Sequence, residues 1–305
     1  MAAEVSKTGA YALRHWQLYA LLIVPLAYFV LFKYGPMYGT IIAFKEYNLF
    51  RGIALSPWNG FETFREVFGS SDFYVALRNT FVLNFLDLAI SFPAPIALAI
   101  MLNEVRWSRF KKIAQATLYL PHFISWIIIG GMIYQVFATH TGIVNLLLQR
   151  LGIGPIPFLT DPDYWLATYL FAGVWQSAGW GTIIYLAAIA GINKELYDAA
   201  AVDGAGTFGR MRHVTLPGIL PTIVVLLIVK IGEIIQIGFD RPYVLGNVSV
   251  NDVSEVLSTY VYKVGLGAGQ FSFATAVGLF QSVVGLIFLV AANYFAKKTT
   301  DQSIF

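Results

Sequence analysis

The sequence predicts an all-α polytopic membrane protein, and three observations support that prediction. Only 12% of the 305 residues are charged, whereas a soluble domain carries roughly 25%. Hydrophobic residues make up 57% of the chain, and its mean hydropathy is +0.66. Six apolar windows each approach or exceed the roughly 20 residues that a helix needs to cross a bilayer. This composition excludes most soluble enzymes, disordered proteins and nucleic-acid-binding proteins.

The six predicted spans form a single transmembrane domain, residues 16–295, between an N-terminal tail (1–15) and a C-terminal tail (296–305). Helices are favoured because each satisfies its own backbone in lipid, and the period-2 alternation of a barrel is missing. No small-residue cleavage site follows the first window, so we expect a retained span rather than a secretion signal. The windows are Trp16–Tyr34, Leu77–Leu102, Ala114–Phe137, Trp165–Ala190, Gly218–Phe239 and Ala274–Phe295.

Basic residues predict the orientation of these spans. Cytoplasmic loops of membrane proteins carry an excess of Lys and Arg, and here these residues concentrate in two loops and both tails. The sequence therefore predicts that both termini lie in the cytoplasm, and an even number of spans agrees with termini on the same side. The basic residues are Arg106, Arg109, Lys111 and Lys112 after span two, Lys194, Arg210 and Arg212 after span four, and Lys7, Arg14, Lys297 and Lys298 in the tails.

The first outer segment, Met37–Phe73, is rich in aromatic residues. The favoured interpretation is an interfacial belt or an amphipathic segment at the membrane surface. A docking surface for an extracytoplasmic partner is the alternative.

The residues that enzymes and metal sites require do not converge anywhere in the sequence. Cys is absent, which excludes thiol catalysis and Cys-ligated metals. The four His residues are scattered outside any ligand spacing, and no G-x-x-x-x-G-K-[ST] phosphate loop occurs. We therefore predict no catalytic residue, no metal site and no cofactor bound by this chain.

The loop between spans four and five, residues 191–217, is the most specific feature. Asn193 is suited to cap a short helix at about Leu196–Gly204, and Gly204 is suited to end it with a positive φ. A second short helix is predicted at about Thr207–His213, with Pro217 opening span five. An ordinary amphipathic connection is the alternative to a helix–turn–helix that presses into a partner through the small residues Ala199 and Ala200.

This loop resembles the EAA motif of binding-protein-dependent ABC importer permeases, which reads E-A-A-x-x-D-G-A and then, further on, I-x-L-P. Asp198 stands where Glu is usual, which keeps the charge and shortens its reach, and Val214 replaces Ile. The matching residues are Ala199, Ala200, Asp203, Gly204, Ala205, Leu216 and Pro217.

The resemblance extends over nearly the whole chain. Segments such as Tyr34–Gly39, Leu102–Arg106, Tyr119–Trp126 and Ala274–Phe280 are similar to the oligo- and polysaccharide branch of these permeases. Within that branch the similarity is to permeases for acidic plant or algal polysaccharides such as alginate.

The resemblance implies a type I importer fold in the bacterial cytoplasmic (inner) membrane, working by alternating access. It implies four kinds of partner: a second, homologous permease in a heterodimer, two cytoplasmic ATPase subunits that hold ATP and Mg²⁺, an extracytoplasmic solute-binding protein, and the sugar. It also implies that the loop couples to an ATPase, with Asp198 as its acidic anchor. The implied coupling residues are Asp198, Ala199, Ala200, Asp203, Gly204, Leu216 and Pro217.

Polar residues inside the predicted spans are candidates for the substrate path, because such groups are costly in lipid. Lys230 and Glu233 share a helical face at i, i+3, and we expect them to neutralise each other. Polar contacts between helices are the alternative role. The path candidates are Asn84, Asp87, Trp180, Tyr185, Lys230, Glu233 and Gln236.

Two other functional classes are compatible with a polytopic chain. An ion- or proton-coupled secondary transporter would use Asp87, Lys230 and Glu233 as a relay, without needing the helix–turn–helix. A membrane-embedded enzyme is disfavoured because no base, nucleophile or metal cluster converges.

Overall fold

The computed structural model describes residues 14–300, and the side chains as far as Lys298. Both predicted tails, 1–15 and 296–305, therefore lie partly outside the described residues. Residues 14–300 contain no β-strand, only an isolated bridge between Lys45 and Trp58.

The described chain is helical from end to end, with short connections. Three π-helical turns interrupt it at Val30–Tyr34, Met211–Thr215 and Lys263–Gly267. The α-helices are α1 (Trp16–Phe29), α2 (Gly52–Leu55), α3 (Glu62–Gly69), α4 (Ser71–Ile90), α5 (Pro93–Glu104), α6 (Ser108–Tyr119), α7 (Trp126–Phe137), α8 (Ile143–Arg150), α9 (Pro162–Ala190), α10 (Lys194–Val202), α11 (Thr207–Arg210), α12 (Leu216–Gly232), α13 (Asp240–Leu245), α14 (Asn251–Ser254), α15 (Leu257–Tyr262) and α16 (Phe271–Thr300), and a single helical turn lies at Gly35–Met37.

Four helical stretches of the described chain are long and apolar enough to cross a membrane: Trp16–Phe44, Ser71–Glu104, Thr207–Gly232 and Phe271–Lys298. A fifth arises if Ser108–Phe123 and Trp126–Phe137, which meet at a 104° bend, count as one broken span. These five stretches overlap five of the six predicted windows.

The remaining predicted window, Trp165–Ala190, is the fourth along the chain and lies within the 29-residue helix α9. This helix is long enough to cross a membrane, but Trp, Tyr, Gln, Ser and Thr side chains lower its hydropathy. Several of these side chains are buried against protein, whereas Trp175 and Trp180 are exposed; the buried ones are Trp165, Thr168, Tyr169, Thr182 and Tyr185.

The chain divides into two compact units. The first contains the described residues as far as Val67, together with Val264–Leu279. Its outer aromatic segment is organised by Lys45, whose buried ammonium donates to the carbonyls of Ile53 and Ser56 at 2.7 and 3.1 Å. The same ammonium lies 4.8 Å from the centre of the Trp58 ring. These contacts therefore hold the stretch from Lys45 to Trp58 in a defined conformation.

The second unit comprises Phe68–Lys263 and the described residues from Phe280 onward. Helix α9 packs in it against α5 and α6 through small residues. A Cβ on Gly179 would overlap the carbonyl of Leu118 in α6, and one on Gly181 would lie 2.9 Å from Pro95 in α5. The glycines of the Ala178–Gly181 run therefore let three helices approach closely.

We expect Gly179→Ala to destabilise the chain strongly, because the added methyl group meets backbone that cannot move aside cheaply. Overpacking of this kind costs about 3 kcal/mol. Gly131→Ala is the matched control, since a Cβ there meets nothing within 4 Å and alanine favours a helix by about 1 kcal/mol over glycine. Thermal unfolding of the two variants in detergent measures the difference. Equal midpoints would show that α6 and α9 are not in this close contact.

Candidate functional site

Helix α10 of the loop 191–217 has well-formed caps at both ends. Asn193 Oδ1 accepts a hydrogen bond from the backbone N–H of Glu195 at 3.0 Å, as predicted. At the other end, the Ala205 N–H donates to the Ala200 carbonyl and the Gly204 N–H to the Ala201 carbonyl. With Gly204 at φ +79°, this is a Schellman motif. This type of helix end requires a residue at positive φ, and the sequence places Gly204 at that position.

The second predicted helix of the loop is present as α11, which begins at Thr207 as expected, and Pro217 lies in the first turn of α12. The two helices are joined without a break, so Thr207–Gly232 forms one continuous helical stretch of 26 residues. The π-helical turn Met211–Thr215 stands directly before Leu216 and Pro217. A widened turn accommodates a proline, which has no N–H to donate and clashes in a regular α-helix.

The two helices of the loop are bonded to each other. The Tyr197 hydroxyl lies 3.0 Å from the hydroxyl of Thr215, which is fully buried. The hairpin therefore has a defined shape at the base of the long helix.

The predicted coupling residues lie on the surface of this hairpin. Asp198, Ala199, Asp203, Gly204, Leu216 and Pro217 are exposed, and Ala200 is half-buried. Large apolar side chains beside them are also exposed: Leu196, Phe208 and, at 89%, Val202. Exposed apolar residues grouped with acidic ones are typical of a protein-binding surface.

A cavity of about 570 Å³ lies within the second unit, in the usual size range of small-molecule sites, about 300–1,000 Å³. Residues from α4, α5, α7, α9, α12 and α13 line it. Six of the seven predicted path residues are among them: Asn84, Asp87, Tyr185, Lys230, Glu233 and Gln236. The seventh, Trp180, is not a lining residue, since its ring stacks on His122 with centroids 4.6 Å apart.

One wall of the cavity is an unwound segment, which corrects the predicted end of span five. Helix α12 stops at Gly232 rather than continuing to Phe239, and the next helix begins at Asp240. Two side-chain amides bond the carbonyls left free: Asn84 Nδ2 donates to Ile234 at 2.8 Å, and Gln281 Nε2 donates to Ile235 at 3.3 Å. Irregular backbone at membrane depth is tolerated where it lines such a cavity, and broken helices commonly mark transport sites.

Two ion pairs lie in the cavity wall, and they differ in burial. Lys230 Nζ is 3.0 Å from Glu233 Oε2, with side chains 60% and 51% exposed, so the expected pairing is present. Arg241 Nη1 is 2.8 Å from Asp87 Oδ2, with side chains 12% and 23% exposed. Water screens the Asp87–Arg241 pair less than the Lys230–Glu233 pair. Removing either of its two members therefore leaves the other charge largely uncompensated.

Arg241 joins three helices besides its own. It bonds Asp87 of α4 and the carbonyl of Tyr169 in α9, and its guanidinium lies over the Tyr169 ring at 3.6 Å and the Trp126 ring of α7 at 5.6 Å. Gly173 makes room for it, since a Cβ there would lie 2.5 Å from Arg241 Cζ.

Sequence reasoning missed Arg241, Tyr169 and Trp126 as members of this site. The fifth window predicts helix as far as Phe239, which places Arg241 in the outer loop. Asp87 could have indicated Arg241, because a carboxylate inside a span needs a cation as partner. Arg241 is a candidate for that partner because Asp240–Arg241 directly follows an apolar run.

The cavity wall offers hydrogen-bonding groups and aromatic faces rather than a reactive cluster. Both cations among its lining residues are paired with carboxylates, while Trp126, Tyr185 and Phe239 present rings. Residues 14–300 contain no group of three His, Cys, Asp or Glu side chains placed to hold a metal ion. The arrangement can bind a polar molecule with apolar faces.

Comparisons with known proteins agree with these features. The profile of the family described as "Binding-protein-dependent transport system inner membrane component" matches residues 77–301. Protein LplB of Bacillus subtilis is 46% identical over 94% of this chain and 91% of its own length. The polygalacturonan/rhamnogalacturonan transport system permease protein YteP of the same organism is 45% identical over 94% and 90%.

A solved structure is also similar. It is described as a bacterial alginate ABC transporter in complex with alginate pentasaccharide-bound periplasmic protein. One of its chains is 38% identical, with a TM-score of 0.88 over 97% of this chain and 99% of that one.

Proposed function

The chain belongs to the family of binding-protein-dependent transport system inner membrane components, and from that premise we propose how it carries out transport. It is a multi-pass protein of the inner membrane and an ABC importer permease for oligo- or polysaccharides. The proposal concerns its topology, its route for the sugar and its coupling to ATP.

We infer six spans with both termini in the cytoplasm. The bent pair of α6 and α7 then counts as one span, and α9 as another, since 29 residues extend roughly 43 Å as an α-helix. The orientation rests on the basic loops after spans two and four. This places the loop 191–217 in the cytoplasm and the cavity within the bilayer.

The observation that carries the coupling proposal is the continuous helix Thr207–Gly232. One end forms half of the capped hairpin, and the other brings Val229 and Lys230 to the cavity wall. An ATPase subunit docked on Asp198 and its exposed neighbours thereby acts on the cavity through one rigid element. The two cytoplasmic ATPase subunits bind and hydrolyse ATP, and the chain itself carries out no covalent chemistry.

We propose the remaining partners from the family to which the chain belongs. A second, homologous permease completes the pore as a heterodimer, and an extracytoplasmic solute-binding protein delivers the sugar. Within the pore the sugar lies against Tyr185 and the polar side chains of the unwound segment, including Gln236.

For the substrate we propose an acidic oligosaccharide such as a uronate oligomer, because the relatives named above include transporters of polygalacturonan and alginate. The paired cations of this chain's cavity wall leave little free positive charge for it. Selection for acidic sugars therefore rests mainly with the solute-binding protein or the partner permease.

Reconstitution of the chain with its partner subunits and binding protein tests the proposal. ATP hydrolysis and uptake are measured with oligogalacturonate, alginate oligosaccharides and a neutral oligosaccharide of the same length. We expect both activities to require the binding protein and to be stimulated by acidic oligosaccharides. Uptake that survives ATP depletion and collapses with an uncoupler would instead identify a secondary transporter.

A further inference from the structure

A cluster of unpaired cations lies at the start of α6, apart from the cavity and the loop 191–217. Arg106, Arg109, Lys111 and Lys112 lie within seven residues of each other. Within residues 14–300, none of these four side chains makes a hydrogen bond or ion pair, in contrast to those of Lys45, Arg78, Arg241 and Lys263.

The stability of α6 does not account for these charges. The N-terminal end of a helix carries a partial positive charge, so cations in its first turn are unfavourable. The first turn of α6 has no acidic residue to offset them, and its N-cap residue, Trp107, provides no side-chain cap. Their placement points to an anion outside the described chain.

The exposed face of α6 changes in character along its length. The side that packs on α9 is half-buried, while the opposite side is exposed and begins with Arg109 and Lys112. That exposed side continues without charge, through Ile113, Ala116, Thr117 and, beyond the end of the helix, Leu120.

Thr117 is the one polar side chain in this continuation. A threonine hydroxyl in a helix can bond the carbonyl of the preceding turn, so it does not need water. A basic start and an uncharged, mainly apolar continuation match a helix that passes from lipid headgroups into acyl chains.

Two aromatic rings lie beside the cations. Trp107 and Phe110 stack at 6.3 Å with planes 14° apart, and the Trp107 side chain is 68% exposed. Trp residues are enriched at the headgroup level of membranes. Helix α5, the end of a candidate span, stops at Glu104 just before this site, which places these rings at a membrane boundary.

We propose that this face of α6 is a docking surface for anionic lipid headgroups. The basic triad Arg106, Arg109 and Lys112 contacts the lipid phosphates, and the aromatic pair Trp107 and Phe110 lies among the headgroups. A protein partner is less consistent with this face, because its uncharged part belongs to a candidate membrane span. Lipid docking at this surface is a role separate from the proposed transport function.

Lipid binding to the full chain in detergent tests the proposal directly. The purified, delipidated chain is titrated with phosphatidylglycerol or phosphatidylcholine, and retained lipids are counted by native mass spectrometry. Each basic side chain near an anionic surface contributes about fivefold in affinity. We expect the triple variant Arg106→Gln, Arg109→Gln, Lys112→Gln to bind phosphatidylglycerol on the order of 100-fold more weakly. Its binding of phosphatidylcholine should be unchanged.

Two further variants separate the contributions. The control Lys194→Gln, Lys297→Gln, Lys298→Gln removes the same number of exposed cations from the same predicted side of the membrane, and should retain the wild-type preference for phosphatidylglycerol. The variant Trp107→Ala, Phe110→Ala should weaken binding of both lipids alike and keep the preference.

Three outcomes would overturn the proposal. The triple variant and its control could lose phosphatidylglycerol equally, which would mean that binding is non-specific. Millimolar inorganic phosphate could displace the lipid, which would identify a free-anion site. Alternatively, the assembled transporter could protect the triad from a water-soluble arginine- or lysine-modifying reagent even in lipid-free detergent, which would identify a protein contact. These measurements do not involve transport, so they are independent of the proposed function.

Discussion

Asp198→Lys is expected to abolish sugar-stimulated ATP hydrolysis and uptake while leaving the chain inserted in the membrane. Asp198 is exposed on the capped helix α10, one helical turn before the exposed Val202. Reversing its charge removes the proposed acidic anchor and places a cation against a surface suited to an anion. Like-charge contacts across an interface cost several kcal/mol, which is enough to prevent docking.

The measurement is ATP hydrolysis by the reconstituted transporter, together with co-purification of the ATPase subunits. Glu104→Lys is the matched control, because it reverses a charge on the same predicted side of the membrane outside the loop 191–217. Gly204→Arg should act similarly, since φ +79° strains a non-glycine residue by about 1–2 kcal/mol and distorts the end of α10. Normal uptake by correctly inserted Asp198→Lys and Gly204→Arg chains would refute the coupling role.

Arg241→Gln is expected to have the second large effect, on the cavity. Without the guanidinium, the largely buried Asp87 carboxylate lacks its counter-ion, and α4, α7 and α9 lose their common contact. Removing one partner of a buried pair costs about 3–5 kcal/mol. We expect a lower unfolding temperature and loss of sugar-stimulated ATP hydrolysis.

Two comparisons make this test specific. Lys230→Gln breaks the exposed pair, which should cost less than about 1 kcal/mol. The double variant Asp87→Asn, Arg241→Gln should be more stable than Arg241→Gln alone, because no uncompensated charge remains. If Lys230→Gln and Arg241→Gln unfold at the same temperature, Arg241 is not the residue that stabilises the cavity wall.

The features that the sequence predicted well are those set by neighbouring residues. The cap at Asn193 and the positive φ of Gly204 depend on a few consecutive side chains, and the structure contains both. The Lys230–Glu233 pair depends only on a three-residue separation. Apolar length located the four or five candidate spans for the same reason.

The features that sequence reasoning missed depend on contacts between distant segments. The end of α12 at Gly232 is stabilised by amides from α4 and α16, which hydropathy does not register. Hydropathy places Arg241 outside because Ile234, Ile235 and Ile237 continue the apolar run past the actual end of the helix. The residue type of Trp180 suggests the substrate path, whereas its stacking partner, His122, lies on a different predicted span. In each case the decisive neighbour is tens of residues away in the chain.

The continuous helix from Thr207 to Gly232 also has a mechanical consequence. Its 26 residues make a rod of roughly 39 Å, with the hairpin at one end and Lys230 near the other. Rotating such a rod by about 5° about one end moves the other end by roughly 3 Å. In the proposed topology the helix works as a lever arm. A small tilt imposed at the hairpin moves the cavity end by about 3 Å, which is the length of a hydrogen bond and enough to exchange one set of contacts for another.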